Sequence, residues 1–430
     1  MRGAEGMAGM RRQGIGLWPR EGLWRHGDFL RLWSAQAISA FGSRISRTAL
    51  PIVALLVVGA APSQIGILAA LAVAPGVLVG LLLGGRIDRS AKRPLLIFCD
   101  LVRAALLMTV PVAAWFEALS MGQLYIVAAG VGAATTLFQI ADNTYLPVLI
   151  GKAQLTEGNA KLEATDAVAE IGGPSVGGVL VDLLTAPLAI LVDAVSYVVS
   201  AVLLLSIRAR ETLPPLPEIR PTLVSDLVVG LRACWRHELV RPLFLVAAIE
   251  AFFGGFFYGI YMIFLLETLD LSASAYGILV GMGGIGALGG ALAARWVAAR
   301  LGLGPAMIVL LAGGQAFCLL IPLAGGPEWR VLGFLGAHQF FSDALVVAFL
   351  IHAMSLRQTV LPQVVLGRAN AGFHVAAGLL LPVGAVLAGQ IATIYEPRTA
   401  LWIGVVGALL GPLVLLLSPV RRLRVMPEAS

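Results

Sequence analysis

Long uncharged runs alternate along this chain with short intervals rich in arginine, and the length of those runs is the first structural fact it offers. A helix crossing a hydrocarbon core of about 30 Å needs about 20 mostly apolar residues at 1.5 Å rise each. Twelve runs meet that length, near 32–58, 64–85, 96–116, 123–146, 161–184, 188–207, 242–266, 276–296, 304–324, 330–354, 369–394 and 399–418. They are numbered spans 1–12. The expected fold class is an all-α membrane protein of twelve transmembrane helices.

Composition agrees. Of 430 residues, 59% are hydrophobic and 13% charged, too apolar a balance for a water-soluble globule. The formal net charge of +6 could suggest nucleic acid. Sorting the thirty basic residues onto the spans removes that reading, because 26 fall in the two tails and the loops on one side. Arg330 and Arg398 fall on the other side, and Arg44 and Arg47 lie within span 1. Lysine and arginine in short loops resist translocation, so both termini are expected in the cytoplasm. No nucleic-acid partner is implied; the bilayer is the partner, with anionic lipid at the basic helix ends.

The order of the runs predicts a cytoplasmic tail (1–31), a six-helix bundle (32–207), a polar linker (208–241), a second six-helix bundle (242–418) and a cytoplasmic C-terminal tail (419–430). The linker opens with LPPLPEIRP, which cannot continue a helix. Its later part, DLVVGLRACWRHELVRP, has helical spacing with arginines on one side and reads as a surface helix. The halves echo each other: Leu146-Pro147 precedes Gly158-Asn159-Ala160 and Pro174, and Leu361-Pro362 precedes Ala369-Asn370-Ala371 and Pro382. Duplicated bundles around a central cavity leave such a trace.

Enzymatic and ATP-driven chemistry find no support. No lysine follows the glycine spacing of a Walker A loop, and no nucleophile triad or metal-ligand spacing appears. Gly281-x-Gly283-x-x-Gly286 matches a dinucleotide fingerprint formally but lies inside an apolar span, where glycines serve close helix packing. No cofactor and no metal are expected. Cys99, Cys234 and Cys318 read as free buried thiols.

Ionisable groups inside spans carry the most information, since each costs roughly 2.5–3.5 kcal/mol at the bilayer centre even on the lenient insertion scale. Arg44, Arg47, Asp142, Glu163, Asp166, Glu170, Glu250 and Asp343 qualify, with His338 and His374 beside them. Glu163, Asp166 and Glu170 stand at i, i+3 and i+7 and share a helix face, as do Arg44 and Arg47 at i and i+3. Arg44 lies about 18 Å and Glu170 about 14 Å from the cytoplasmic edge. Burial favours a neutral carboxyl and a nearby arginine favours the charged form. A carboxylate held between those two influences suits proton coupling. Glu170 is the first candidate and Asp166 the second, with Arg44 as the tuning charge and Arg47, Glu250 and Asp343 as further candidates. Pro51, Pro75, Pro174 and Pro382 interrupt spans, each as a static kink or as a flexible point for rocking, the second favoured at Pro174 by its flanking glycines.

Between spans 2 and 3 stands GGRIDRSAKR, residues 84–93. The pattern of Gly84, Asp88-Arg89 and Lys92-Arg93 resembles the loop between helices 2 and 3 of the major facilitator superfamily. FLRLWSAQAISAFGSRISRTALP, CDLVRAALL, YLPVLIGKAQLTEGNAKLEATDAVAEIGGPSVGGVLVD, LVDAVSYVVSAVLLL, GLRACWRHELVRPL and LPQVVLGRANAGF are similar, in order, to the branch containing the bacterial enterobactin and macrolide exporters. The resemblance implies two pseudo-symmetric bundles, alternating access, and a monomer in the bacterial inner membrane that exports a small amphipathic compound (a drug, siderophore or secondary metabolite) by proton antiport. It implies a gate at the basic loop, where Asp88 pairs with helix ends and with Arg103. Gly173, Pro174, Gly177 and Gly178 resemble the core of the span 5 motif of proton-coupled antiporters; the upstream glycines are replaced by Ala160 and Ala169. Relatives often carry an acid where this chain has Ser43, after Gly42. Alternatives of the same fold are import or flipping of a lipid such as a lysophospholipid, and a membrane receptor or scaffold that does not transport.

Overall fold

A computed structural model describes residues 22–87, 90–151, 154–209, 211 and 223–427, with the side chains of 84–87 and 223–226 left aside. Among the described residues, twelve helices are long and apolar enough to cross a membrane: Gly27–Val57, Pro62–Leu83, Lys92–Trp115, Met121–Ile150, Leu155–Leu184, Ala186–Leu205, Val240–Thr268, Ala273–Leu301, Leu303–Leu323, Glu328–Val360, Gln363–Ile394 and Pro397–Leu417. They keep the names spans 1–12. The expected all-α class holds, with no strand among the described residues.

A lone chain segment in lipid must satisfy its backbone within itself, which is why each uncharged run becomes one helix. The ends are set by local chemistry. Ser120 accepts from the Gln123 N–H at the start of span 4, and Ser272 from Ala275 at the start of span 8. Gly302, at φ 83°, turns the chain from span 8 straight into span 9. Pro51, Pro75, Pro174 and Pro382 all lie within helices. Among the described residues, wide π-turns close span 1 at Val53–Val57 and span 7 at Phe264–Thr268, and one interrupts span 10 at His338–Ser342.

Span 1 packs on spans 5 and 6, span 2 on span 4, and span 3 on spans 4 and 6; in the second half, span 8 packs on span 10 and span 7 on spans 11 and 12. Two helix pairs join the halves, span 2 with span 11 and span 5 with span 8. Small residues make both contacts, as expected where lipid removes the hydrophobic drive and close backbone approach supplies the attraction. A Cβ on Gly66 would lie 2.5 Å from the Ala385 carbonyl oxygen, and one on Gly178 would lie 2.2 Å from that of Ala273. Ser63 N–H donates to Thr393 Oγ1 (2.8 Å) and Ser274 N–H to Asp182 Oδ2 (2.9 Å) at the same end of the molecule. From there the contacts continue to Ile171 against Gly284 and Val77 against Gly378, about midway along the spans.

The expected glycine face of span 8 resolves into two faces. Gly277, Gly281 and Gly284 meet span 5 across the halves, whereas Gly283, Gly286 and Gly290 meet span 10. Gly178→Leu is therefore expected to part spans 5 and 8. Cross-linking between Ser63→Cys and Thr393→Cys should fall several-fold in that variant; an unchanged yield would mean that the two helix pairs do not open together.

The linker carries a helix, Leu223–Arg236, laid against the start of span 11. Gly230 sits where a Cβ would be 2.1 Å from the Arg368 carbonyl oxygen, and Cys234 Sγ lies 3.9 Å from that of Ala369. Burial pushes the Cys234 thiol up, away from reactive thiolate. All three cysteines are buried and free.

Candidate functional site

Two cavities meet near the middle of the molecule, with the arginines of span 1 between them. The first, of about 570 Å³, opens between spans 1, 3, 4 and 5 and is lined by Gln36, Ser43, Arg44, Arg103, Asp142 and Asp166 among others. The second, of about 500 Å³, lies between the halves and is lined by Arg47, Glu170, Tyr261, Tyr276, His338 and Asp343 among others.

At their junction the charged faces of spans 1 and 5 lie against each other. Arg44 Nη2 donates to both oxygens of Asp166, at 3.0 and 3.1 Å, and its Nε donates to Glu170 Oε2. Arg47 Nη2 donates to the other oxygen, Glu170 Oε1. Two cations and two anions thus cancel about halfway along spans 1 and 5. Gly173 permits the approach, since a Cβ there would lie 2.3 Å from Arg44 Cβ; Gly177 rests on the Ile45 backbone. On the adjoining face of span 5, the Pro174 carbonyl and Gly178 contact span 8. The glycine-proline motif is therefore the wedge between span 1 and the second half. Glu163, on the same helix face as Asp166, is exposed and lines the first cavity away from this tetrad.

Arg103, which the resemblance pairs with Asp88 of the basic loop, has its guanidinium buried in span 3, where it donates to Asp100 Oδ1 on the same helix. Ser200 Oγ donates to the other oxygen, Asp100 Oδ2, at 2.7 Å. The guanidinium carbon sits 4.1 Å from the centre of the Tyr197 ring and 4.4 Å from that of Phe138. The Tyr197 hydroxyl in turn lies 3.0 Å from Ser43 Oγ. The helix begins at Lys92, so Asp100 and Arg103 are carried about 12 and 17 Å into the span.

Of the remaining basic-loop residues, Asp88 and Arg89 lie outside the described residues, and Gly84 belongs to the helical end of span 2. The Glu211 carboxylate accepts from the backbone N–H groups of Lys92 and Arg93, both at 2.6 Å, and so caps span 3. Lys92 Nζ donates to the Ser90 carbonyl (2.9 Å). Arg93 Nε donates to the Leu204 carbonyl (2.9 Å), a cation set on the C-terminus of span 6.

The other candidates separate. Gln36 Nε2 donates to Asp142 at the first cavity. Glu250 accepts from Gln315 Nε2 at 2.5 Å and lines neither cavity. Asp343 and His338 line the second cavity, whereas His374 is exposed elsewhere. From the second half, the second cavity draws Asp343, His338, Tyr261 and Tyr276.

Sequence reasoning passed over Asp100 and Asp193, both almost fully buried. Their signal was available, since each interrupts an apolar run. Asp193 is received by Gly42, where a Cβ would lie 2.3 Å from Asp193 Oδ1. That approach, together with the Ser43 contact to Tyr197, accounts structurally for the Gly42-Ser43 step in span 1.

A family model described as Major Facilitator Superfamily matches residues 32–361. The chain is 25% identical over 299 residues to the multidrug efflux pump Tap of Mycobacterium tuberculosis, covering 67% of this chain and 71% of that protein. It is 21% identical over 224 residues to macrolide efflux protein A of Streptococcus pyogenes, covering 52% and 55%. The fold is similar to the crystal structure of the nucleoside transporter NupG, with a TM-score of 0.72 at 13% identity, covering 90% of this chain and 98% of that one.

Proposed function

The chain belongs to the Major Facilitator Superfamily, a family of multi-pass membrane transporters rather than enzymes, and from that premise we propose that it exports a small amphipathic organic compound in exchange for protons. The observation that carries this reading is the tetrad of Arg44, Arg47, Asp166 and Glu170 at the junction of the two cavities. An acid shared by two arginines and bordering a cavity can exchange its ion pairs for a proton. Doing so frees the arginines and changes how span 1 holds span 5. Span 5 also makes the contact with span 8, so the same helix touches both the charge site and the interface between halves.

In this reading the arginine-rich side is cytoplasmic, with both termini there, in a bacterial inner membrane. The packed end near Asp182 and Ser274 then faces outward, and the structure is the inward-open member of an alternating pair. The carboxylate proposed to take the proton is Glu170, with Asp166 second. Export rather than import is supported by the efflux relatives and by the Gly173–Gly178 wedge.

The experiment is transport in inverted vesicles with an imposed pH gradient, using a panel of drugs and siderophores. Substrate should accumulate inside when the lumen is acidic and stop when the gradient is collapsed. Accumulation indifferent to the gradient would reject proton exchange, and gradient-driven uptake in right-side-out vesicles would reject export.

A further inference from the structure

The second cavity holds an acid that no cation answers. Asp343 stands about midway along span 10, just past the wide turn at His338–Ser342, a type of distortion that recurs at functional sites. Its Oδ2 accepts from Gln339 Nε2 at 3.1 Å and packs against Gly283, where a Cβ would lie 2.0 Å away. Among the described residues it forms no ion pair. The other charged groups on this cavity, Arg47 and Glu170, are paired with each other. The cavity therefore carries one uncompensated carboxyl group.

Its walls are aromatic. The Tyr261 ring centre lies 6.2 Å from that of Tyr276 and 6.0 Å from that of His338, with Phe257 and Tyr258 also on the lining. One polar atom, Tyr261 Oη, is buried there without a hydrogen-bond partner among the described residues. A volume of about 500 Å³ falls within the range of small-molecule sites. Aromatic faces attract cations, and a carboxylate away from water binds one strongly.

We propose that this cavity binds a lipophilic organic monocation, with Asp343 set against its charge and Tyr261, Tyr276 and Phe257 against its apolar body. The proposal rests on the transport reading above and adds to it the charge of the substrate and the place where it sits. Asp343 here is a binding residue, distinct from the Glu170 site.

The test compares two ions of one shape and opposite charge, tetraphenylphosphonium and tetraphenylborate, binding to the full chain in lipid nanodiscs with empty discs subtracted. The phosphonium should bind saturably and at least about ten-fold more tightly than the borate. Asp343→Asn should remove most of that preference while the protein still elutes and melts like the wild type, and Tyr276→Ala should weaken the phosphonium alone. Equal binding of the two ions by the wild type would overturn the proposal, as would an unchanged preference in folded Asp343→Asn. The wild-type comparison needs no variant, so it decides even where Asp343→Asn does not fold. Phosphonium preference without any pH-driven transport would reject proton exchange and leave this assignment standing. Proton-driven export without the preference would reject this assignment alone.

Discussion

Glu170→Gln is expected to abolish pH-driven efflux while leaving a folded protein that still binds substrate and exchanges it without a gradient. The side chain accepts from both Arg44 and Arg47, one oxygen to each, and is 43% exposed toward the cavities. Arg47 and Asp166, at 45% and 54%, are similarly open, so water screens the tetrad. Ion pairs of that exposure contribute about 0–1 kcal/mol each, too little for one amide substitution to unfold twelve packed helices. Transport is another matter. Glutamine can accept one arginine's hydrogen bond but can neither take up nor release a proton, so the step in which the arginines are freed disappears. Asp166→Asn should reduce the same activity less, because Asp166 touches Arg44 only. Intact proton-driven efflux in Glu170→Gln would reject Glu170 as the carrier, and loss of folded protein would identify the tetrad as a structural pair.

The largest effect on stability is expected one layer away, at Asp100. Its side chain is fully buried, and so is that of its partner Arg103, at 4% exposed. Asp100→Ala leaves the guanidinium between Phe138 and Tyr197 with no anion and strips Ser200 of its acceptor. Removing one member of a buried pair costs about 3–5 kcal/mol, against about 0–1 kcal/mol for the exposed tetrad. Thermal unfolding of purified protein should show a large drop for Asp100→Ala and almost none for Glu170→Gln. Replacing both partners at once, with Asp100→Leu and Arg103→Met, should recover much of the loss, since no charge is then left unpaired. If Asp100→Ala melts with the wild type, water reaches Arg103 and the pair is not a core element.

These two sites differ in how far the sequence alone could reach them. Arg44 and Arg47, and Asp166 and Glu170, fall at helical spacing in runs that are otherwise apolar, so the shared faces could be read directly. Asp100 and Arg103 fall at the same i, i+3 spacing but adjoin a basic loop. What they meet is set by span 6: Ser200 donates to Asp100 and the Tyr197 ring lies against Arg103, partners 100 and 94 positions away. Asp343 was legible as an intramembrane acid, but its lack of a cation was not, because absence of a partner is a property of every neighbouring helix together.

The sequence by itself determined the number and approximate extent of the spans, the class of the fold and the pairs of charges that share a face. The physical reason is that a helix in lipid must satisfy its own backbone hydrogen bonds, so its existence and periodicity are local properties of about 20 residues. The tertiary structure alone decided which faces meet. Gly173 brings Arg44 to Glu170, Gly42 receives Asp193, and Gly178 and Gly277 bind one half to the other. Helix approach without a hydrophobic drive depends on the fit of small residues on partners far apart in the chain. The aromatic cavity around Asp343, drawn from spans 1, 2, 5, 7, 8, 9 and 10, exists only once that packing is complete.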